Sequence, residues 1–132
     1  MKYKFVIFDL DGTLLDTLSD IADSLNTALS EFGYREQSME EVRRHVGNGS
    51  AHLVERSLPG GAENKVYEDV LKFYSAWYDA HCRIKTKPYS GVLETIEKLK
   101  SVGASCAIVS NKPQTAVTEL AKAFFGTEIS EA

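Results

Sequence analysis

The chain has 132 residues, with 15 basic and 19 acidic side chains, a net charge of −4 and no basic run, which argues against nucleic acid as a partner. Apolar residues make up 43% and charged residues 26%, the balance of a soluble globular chain, and no apolar stretch of about 18 residues offers a membrane span. The N-terminus reads as a strand rather than a signal peptide, and the lone cysteines Cys82 and Cys106 fit reduced thiols of a cytoplasmic protein better than a disulfide framework.

Tyr3 to Phe8 is an apolar, β-branched and aromatic run that predicts a buried strand. It ends in Asp9-Leu10-Asp11-Gly12-Thr13, two carboxylates spaced i, i+2 and then a Gly-Thr turn. On a strand that spacing puts both acids on one face. In an α/β setting, the C-terminal end of a strand is where ligands bind. The bland reading is a strand closed by an Asp-Gly turn, with Asp16 capping the next helix.

Asp9, Asp11, Gly12 and Thr13 match the D-x-D-G-T signature, and the chain resembles the haloacid dehalogenase superfamily of phosphotransferases. The resemblance implies that Asp9 is the nucleophile of an aspartyl-phosphate mechanism, which splits one hard displacement into two. It implies that Asp11 is the acid that protonates the leaving oxygen and then the base that activates water. Two carboxylates beside a phosphate repel it, so Mg²⁺ is the expected cofactor, with Asp9 and Asp11 as its ligands. Gly12 permits the tight turn, and Thr13 offers an N–H and a hydroxyl to phosphate.

A long helical stretch follows, too long for a simple crossover. Leu18, Ile21, Ala22, Leu25, Leu29 and Phe32 recur at helical spacing, with Asp16 or Thr17 as cap and Gly33 as stop. Ser38 to Val46 reads as a second helix with a Ser38/Glu41 capping box, and Ala51 to Leu58 as a third. The fourth, Glu63 to His81, carries Val66, Val70, Phe73, Tyr74, Trp77 and Tyr78, a stripe read as helix packing rather than a ligand platform. An insertion at this point resembles the superfamily's helical cap, which closes over the site and selects substrate. Within it, Arg43 to Gly49 is the segment expected to touch substrate: Arg44 can fork onto an anion, while Gly47 and Gly49 allow close backbone approach. The V-G-N-G run is similar to a loop of phosphoglycolate phosphatases; the alternative is a Gly-rich connection with solvated arginines. His45, His52 and His81 lack metal-ligand spacing, so zinc is not expected.

Lys85 to Tyr89 reads as an extended link. A helix follows from Ser90 or Gly91, carrying Val92, Ile96 and Leu99 and stopping at Gly103. Ala104 to Val109 predicts a second core strand, ending in Ser110-Asn111-Lys112-Pro113, with Pro113 in the first turn of a last helix carrying Val117, Leu120, Ala121 and Phe124. This resembles the superfamily's second motif in its phosphoglycolate phosphatase-like form. The resemblance makes Ser110 and Asn111 phosphate-binding candidates, with Lys112 beside them. By itself Lys112 reads as a helix-start lysine turned to solvent, and standing in for a missing lysine is its alternative role.

The expected architecture is therefore a Rossmannoid α/β core of about two parallel strands, formed by residues 1–15 and 84–132, with an inserted all-α cap over residues 16–83. Complete members of the family run to roughly two hundred residues or more. No later G-D-x-x-x-D strand and no third-motif lysine in its usual place is present. The chain is accordingly expected to be part of a longer protein, or to complete its sheet with another chain, as in a homo-oligomer. The leading functional reading is a Mg²⁺-dependent phosphomonoester hydrolase acting on a small phosphorylated metabolite, with 2-phosphoglycolate the first choice. The alternatives are a pyrophosphatase, a sugar-phosphate phosphatase or mutase, and, from another class, an incomplete fragment that needs a partner or only binds phosphate.

Overall fold

The computed structural model describes residues 2–126, which divide into two compact units, 2–16 with 87–126 and 17–86. The divisions fall after Asp16 and after Thr86, one and three residues beyond the expected ones.

In the first unit, β1 (Phe5–Phe8) runs parallel to β4 (Ser105–Ile108), with Phe5 opposite Ser105 and Phe8 opposite Ile108. Two further short strands, β2 (Leu15–Asp16) and β3 (Lys87–Pro88), pair antiparallel. The extended link read from the sequence is thus half of a second small ladder. Helix α5 (Val92–Ser101) packs on β4, and α6 (Gln114–Phe125) follows it. Gly91 caps α5 at φ +86°, a backbone setting that favours glycine. Pro113 stands one residue before α6, in extended conformation, rather than in its first turn. On α6 the buried aromatic is Phe125, and Phe124 is only half-buried.

β1 has β4 as its one strand neighbour among the described residues. The strand is shorter than the Tyr3 to Phe8 run and is not buried as expected: Phe5 and Ile7 are 62% and 64% exposed and Val6 and Phe8 half-buried, so one of its faces is apolar and open. An unpaired edge with an apolar face is an association hazard. The 132-residue chain is expected to self-associate in a concentration-dependent way, and Ile7→Lys is expected to suppress this. Light scattering behind a sizing column would refute it by showing a monodisperse monomer across the accessible concentration range.

The second unit is all-helical: α1 (Leu18–Glu31), α2 (Met39–His45), α3 (Ser50–Ser57) and α4 (Tyr67–His81), with a 3₁₀ turn at Gly61–Glu63. α1 packs on α4 and α2, and α3 packs on α4 and α2. Leu25, Leu29, Val42, Val54 and Val70 are fully buried at these contacts. The Ser38 cap forms as expected, its hydroxyl accepting the Glu41 N–H at 3.2 Å. Asn26 ties the α1–α2 loop from both sides, donating to the Gln37 carbonyl at 2.9 Å and accepting its N–H at 2.7 Å. α4 begins at Tyr67, four residues later than the periodicity suggests, because the Asn64 side chain accepts the Val66 N–H and holds a turn there. The aromatic stripe splits in two. Tyr67, Val70, Tyr74 and Tyr78 are buried, whereas Phe73, Trp77 and His81 stack along a more exposed ridge. No helix among the described residues is long and apolar enough to cross a membrane. Cys82 and Cys106 are both buried and unbridged.

Candidate active site

The site candidates of the first unit lie just past two paired strands. Asp9 follows Phe8, the last residue of β1, and Ser110 lies two residues past Ile108, the last of β4. The Val109 N–H donates to the Phe8 carbonyl at 2.9 Å, extending the ladder to the point where both loops begin. Because β1 stops at Phe8, the alternation argument for Asp9 and Asp11 does not carry through as a strand property. The loop itself does the positioning.

That loop turns on one carbonyl. Leu10 is fully buried, and its oxygen accepts N–H groups from Thr13 (3.3 Å), Leu14 (3.0 Å) and Leu15 (3.1 Å). Gly12 sits at φ +77° and donates to the Leu15 carbonyl at 3.0 Å, so a side chain at this position would be strained. Leu14 and Leu15, both buried, anchor the far side of the turn. Asp9 and Thr13 are left exposed on it. The Thr13 N–H, expected to serve phosphate, is engaged within the turn, which leaves its hydroxyl for a ligand.

The second loop is held by Ser110, whose hydroxyl accepts the Lys112 N–H at 3.1 Å. That turn sends Lys112 inward. Its Nζ lies 3.1 Å from Asp11 Oδ1, with the side chain 5% exposed against 26% for Asp11. A lysine turned to solvent is therefore the wrong reading of this residue. An ammonium removed from water needs its partner, and here the partner is the second acid of the motif. Asn111 is exposed beside it.

Asp9, Asp11, Gly12, Thr13, Ser110, Asn111 and Lys112 thus all belong to two adjacent loops of one unit. Arg44, Gly47 and Gly49 belong to the other. Arg44 is exposed in the last turn of α2, Gly47 has φ +112°, and Gly49 precedes α3 at φ +90°.

Comparison with known proteins bears on what these loops are. The sequence profile of the haloacid dehalogenase-like hydrolases matches residues 6–129. The chain belongs to that family. Phosphoglycolate phosphatase 1 of Pseudomonas aeruginosa is 35% identical over 123 residues, covering 89% of this chain and 44% of the relative. Phosphoglycolate phosphatase of Psychrobacter arcticus is 36% identical over 133 residues, covering 96% and 57%. A crystal structure of a candidate phosphoglycolate phosphatase from Lactobacillus delbrueckii subsp. bulgaricus superposes with a TM-score of 0.91 at 32% identity, covering 100% of this chain and 64% of that one. The chain spans about half the length of the curated relatives it matches.

Two residues of consequence escaped the sequence reading. One is the inward turn of Lys112. The other is Asp20, a carboxylate 3% exposed within α1, whose oxygens accept the Lys85 N–H at 2.9 and 3.0 Å, the Thr86 N–H at 2.8 Å and the Thr86 hydroxyl at 2.8 Å. The available signal was an acid in line with Ser24 and Ala28, on the apolar flank of a helix.

Proposed function

We propose that the chain carries the nucleophile half of a Mg²⁺-dependent phosphomonoesterase acting on a small phosphorylated acid, with 2-phosphoglycolate as first choice. The observation that supports it is the pair of carboxylates in the loop after β1, beside Ser110 and with the Lys112 ammonium on Asp11. Asp9, exposed and free of the lysine contact, is the attacking oxygen; Asp11 is the acid and base. Gly12, Thr13, Ser110 and Asn111 receive the phosphoryl oxygens, and Lys112 offsets charge as it builds there. The all-helical unit serves as the cap, and Arg44, Gly47 and Gly49 are its candidate substrate contacts.

The donor set suits Mg²⁺, which takes hard oxygens and is commonly bound through one or two carboxylates together with phosphate and water. Asp9 and Asp11 would hold it, and it would supply charge neutralisation at the phosphate. Among the described residues no group of three or more His, Cys, Asp and Glu side chains gathers as a metal site. A second reading, supported by the lack of the third and fourth motifs in the sequence, is an incomplete chain that needs a partner or only binds phosphate.

One assay separates the two readings. Hydrolysis of an aryl phosphate and of 2-phosphoglycolate would be followed with Mg²⁺, with a chelator, and with Mg²⁺ restored. The phosphatase reading expects turnover that chelation abolishes and Mg²⁺ returns. A folded chain that binds phosphate with Mg²⁺ but releases no product would carry the second reading, and one that does neither would sink both.

A further inference from the structure

The helical unit contains a cavity that shares only Arg44 with the phosphatase reading. It lies between the loop at Tyr34, α2 and the C-terminal end of α3, and its volume is about 370 Å³, in the range of small-ligand sites. Its charged lining is Arg35, Glu41, Arg44, His45 and Arg56. Arg35 forks onto the two oxygens of Glu41 at 3.2 and 3.0 Å, so those charges offset one another. Arg44 and Arg56 have no carboxylate within ion-pair distance among the described residues. His45 adds a separate observation: its Nδ1 is buried and has no hydrogen-bond partner among the described residues. Buried polar atoms are normally paired, and an orphan beside two unpaired guanidinium groups calls for an explanation.

We infer that this cavity binds a small doubly charged oxyanion, carboxylate or phosphate in chemistry, held by the forks of Arg44 and Arg56 and completed by His45. Guanidinium geometry matches both oxyanion classes, and two unpaired positive charges match a dianion. The site lies wholly within residues 34–59 of one unit and shares Arg44 with the proposed substrate contacts, so Arg56 and His45 are the residues that test it apart from Asp9 and its chemistry.

The imidazole provides the readout. Burial first, then the charges of Arg56 and Arg44, and last that of His52, hold His45 below its ordinary pKa, while Glu41 acts in the opposite sense. An anion seated between the guanidinium groups cancels their effect, raises the pKa of His45, and gains a charged donor. A ligand that raises a pKa takes up a proton on binding. Affinity should therefore grow as pH falls through the imidazole range and weaken as pH rises above it.

Sulfate keeps its double charge between about pH 5 and 8, so it reports this linkage without titrating itself. The His45 ring signal, assigned by its loss in His45→Gln, would be followed by NMR during sulfate titration, with malonate in parallel and sodium chloride at matched ionic strength as control. The inference expects a saturable shift with sulfate or malonate, the tighter of the two giving the oxyanion class, and a raised His45 pKa at saturation. Arg44→Gln and Arg56→Gln, both at exposed positions, should each weaken binding about tenfold or more. His45→Gln should retain binding and lose its pH dependence. A shift that does not saturate, that chloride reproduces, or that survives unchanged in Arg56→Gln in a sample with unaltered melting would overturn the inference.

Discussion

On the proposed phosphatase reading, Asp9→Asn is expected to remove turnover by about 10⁴-fold or more, the scale seen when an enzyme loses its nucleophile. The amide keeps the size of the carboxylate, and Asp9 is exposed on a loop fixed by the Leu10 carbonyl rather than by its own side chain. Folding should therefore survive, and the variant should melt with the parent. Trapping by acid quench after reaction with labelled substrate should mark the parent chain and leave the variant unlabelled. Comparable labelling in both would place the nucleophile elsewhere and end the aspartyl-phosphate reading.

Lys112→Gln provides the graded counterpart. Its ammonium contributes one charge-assisted contact to Asp11 at 3.1 Å, and such contacts contribute about 1.5–3 kcal/mol, or roughly 10- to 150-fold in kcat/KM. A lysine acting only in the loop's packing would move stability and leave the kinetic parameters of the surviving folded fraction unchanged. A lysine that offsets charge at the phosphate would lower kcat in the folded fraction, whatever the change in melting temperature.

The features the sequence carried best were those determined over a few residues. The strand at Phe5–Phe8, the D-x-D-G-T turn, the Ser38 cap and the Gly91 and Gly103 helix boundaries rest on spacing, small residues and local hydrogen bonds, and each left a pattern in the chain. The features that escaped it are contacts between distant residues. Nothing around Lys112 announces that its ammonium turns toward Asp11, 101 positions earlier, because that outcome depends on β1 and β4 being neighbours in parallel register. The antiparallel pairing of Leu15–Asp16 with Lys87–Pro88 was hidden in the same way, since two-residue strands have no periodicity to read. The start of α4 was misplaced for a smaller reason: the helical spacing continues back through Val66, but the Asn64 side chain competes for the backbone there.

Asp20→Ala is expected to destabilise the chain by about 3–5 kcal/mol, since it strips the partner from two backbone N–H groups and a hydroxyl at a buried position. Against the usual margin of about 5–15 kcal/mol this is a large fraction of the total, and it should lower the melting temperature by roughly 10 °C or more. Asp20→Asn keeps an acceptor oxygen and should lose less, while Thr86→Val removes only the hydroxyl contact and should cost about 1 kcal/mol. The position gives the contact its weight. Asp20 lies near the first residue of the helical unit and Lys85 and Thr86 at its last, so one carboxylate joins the two ends of a 70-residue insertion. Without that link each end could fray separately, since the ordering of a long loop's ends depends on contacts that close it. Lys85 adds a second tie, its Nζ 2.7 Å from Asp23, but both partners are more than half exposed, so this pair contributes little by itself. Thermal melts should accordingly rank Asp20→Ala far below Asp23→Ala. Equal melting temperatures for those two variants would mean that the buried carboxylate is not what closes the unit.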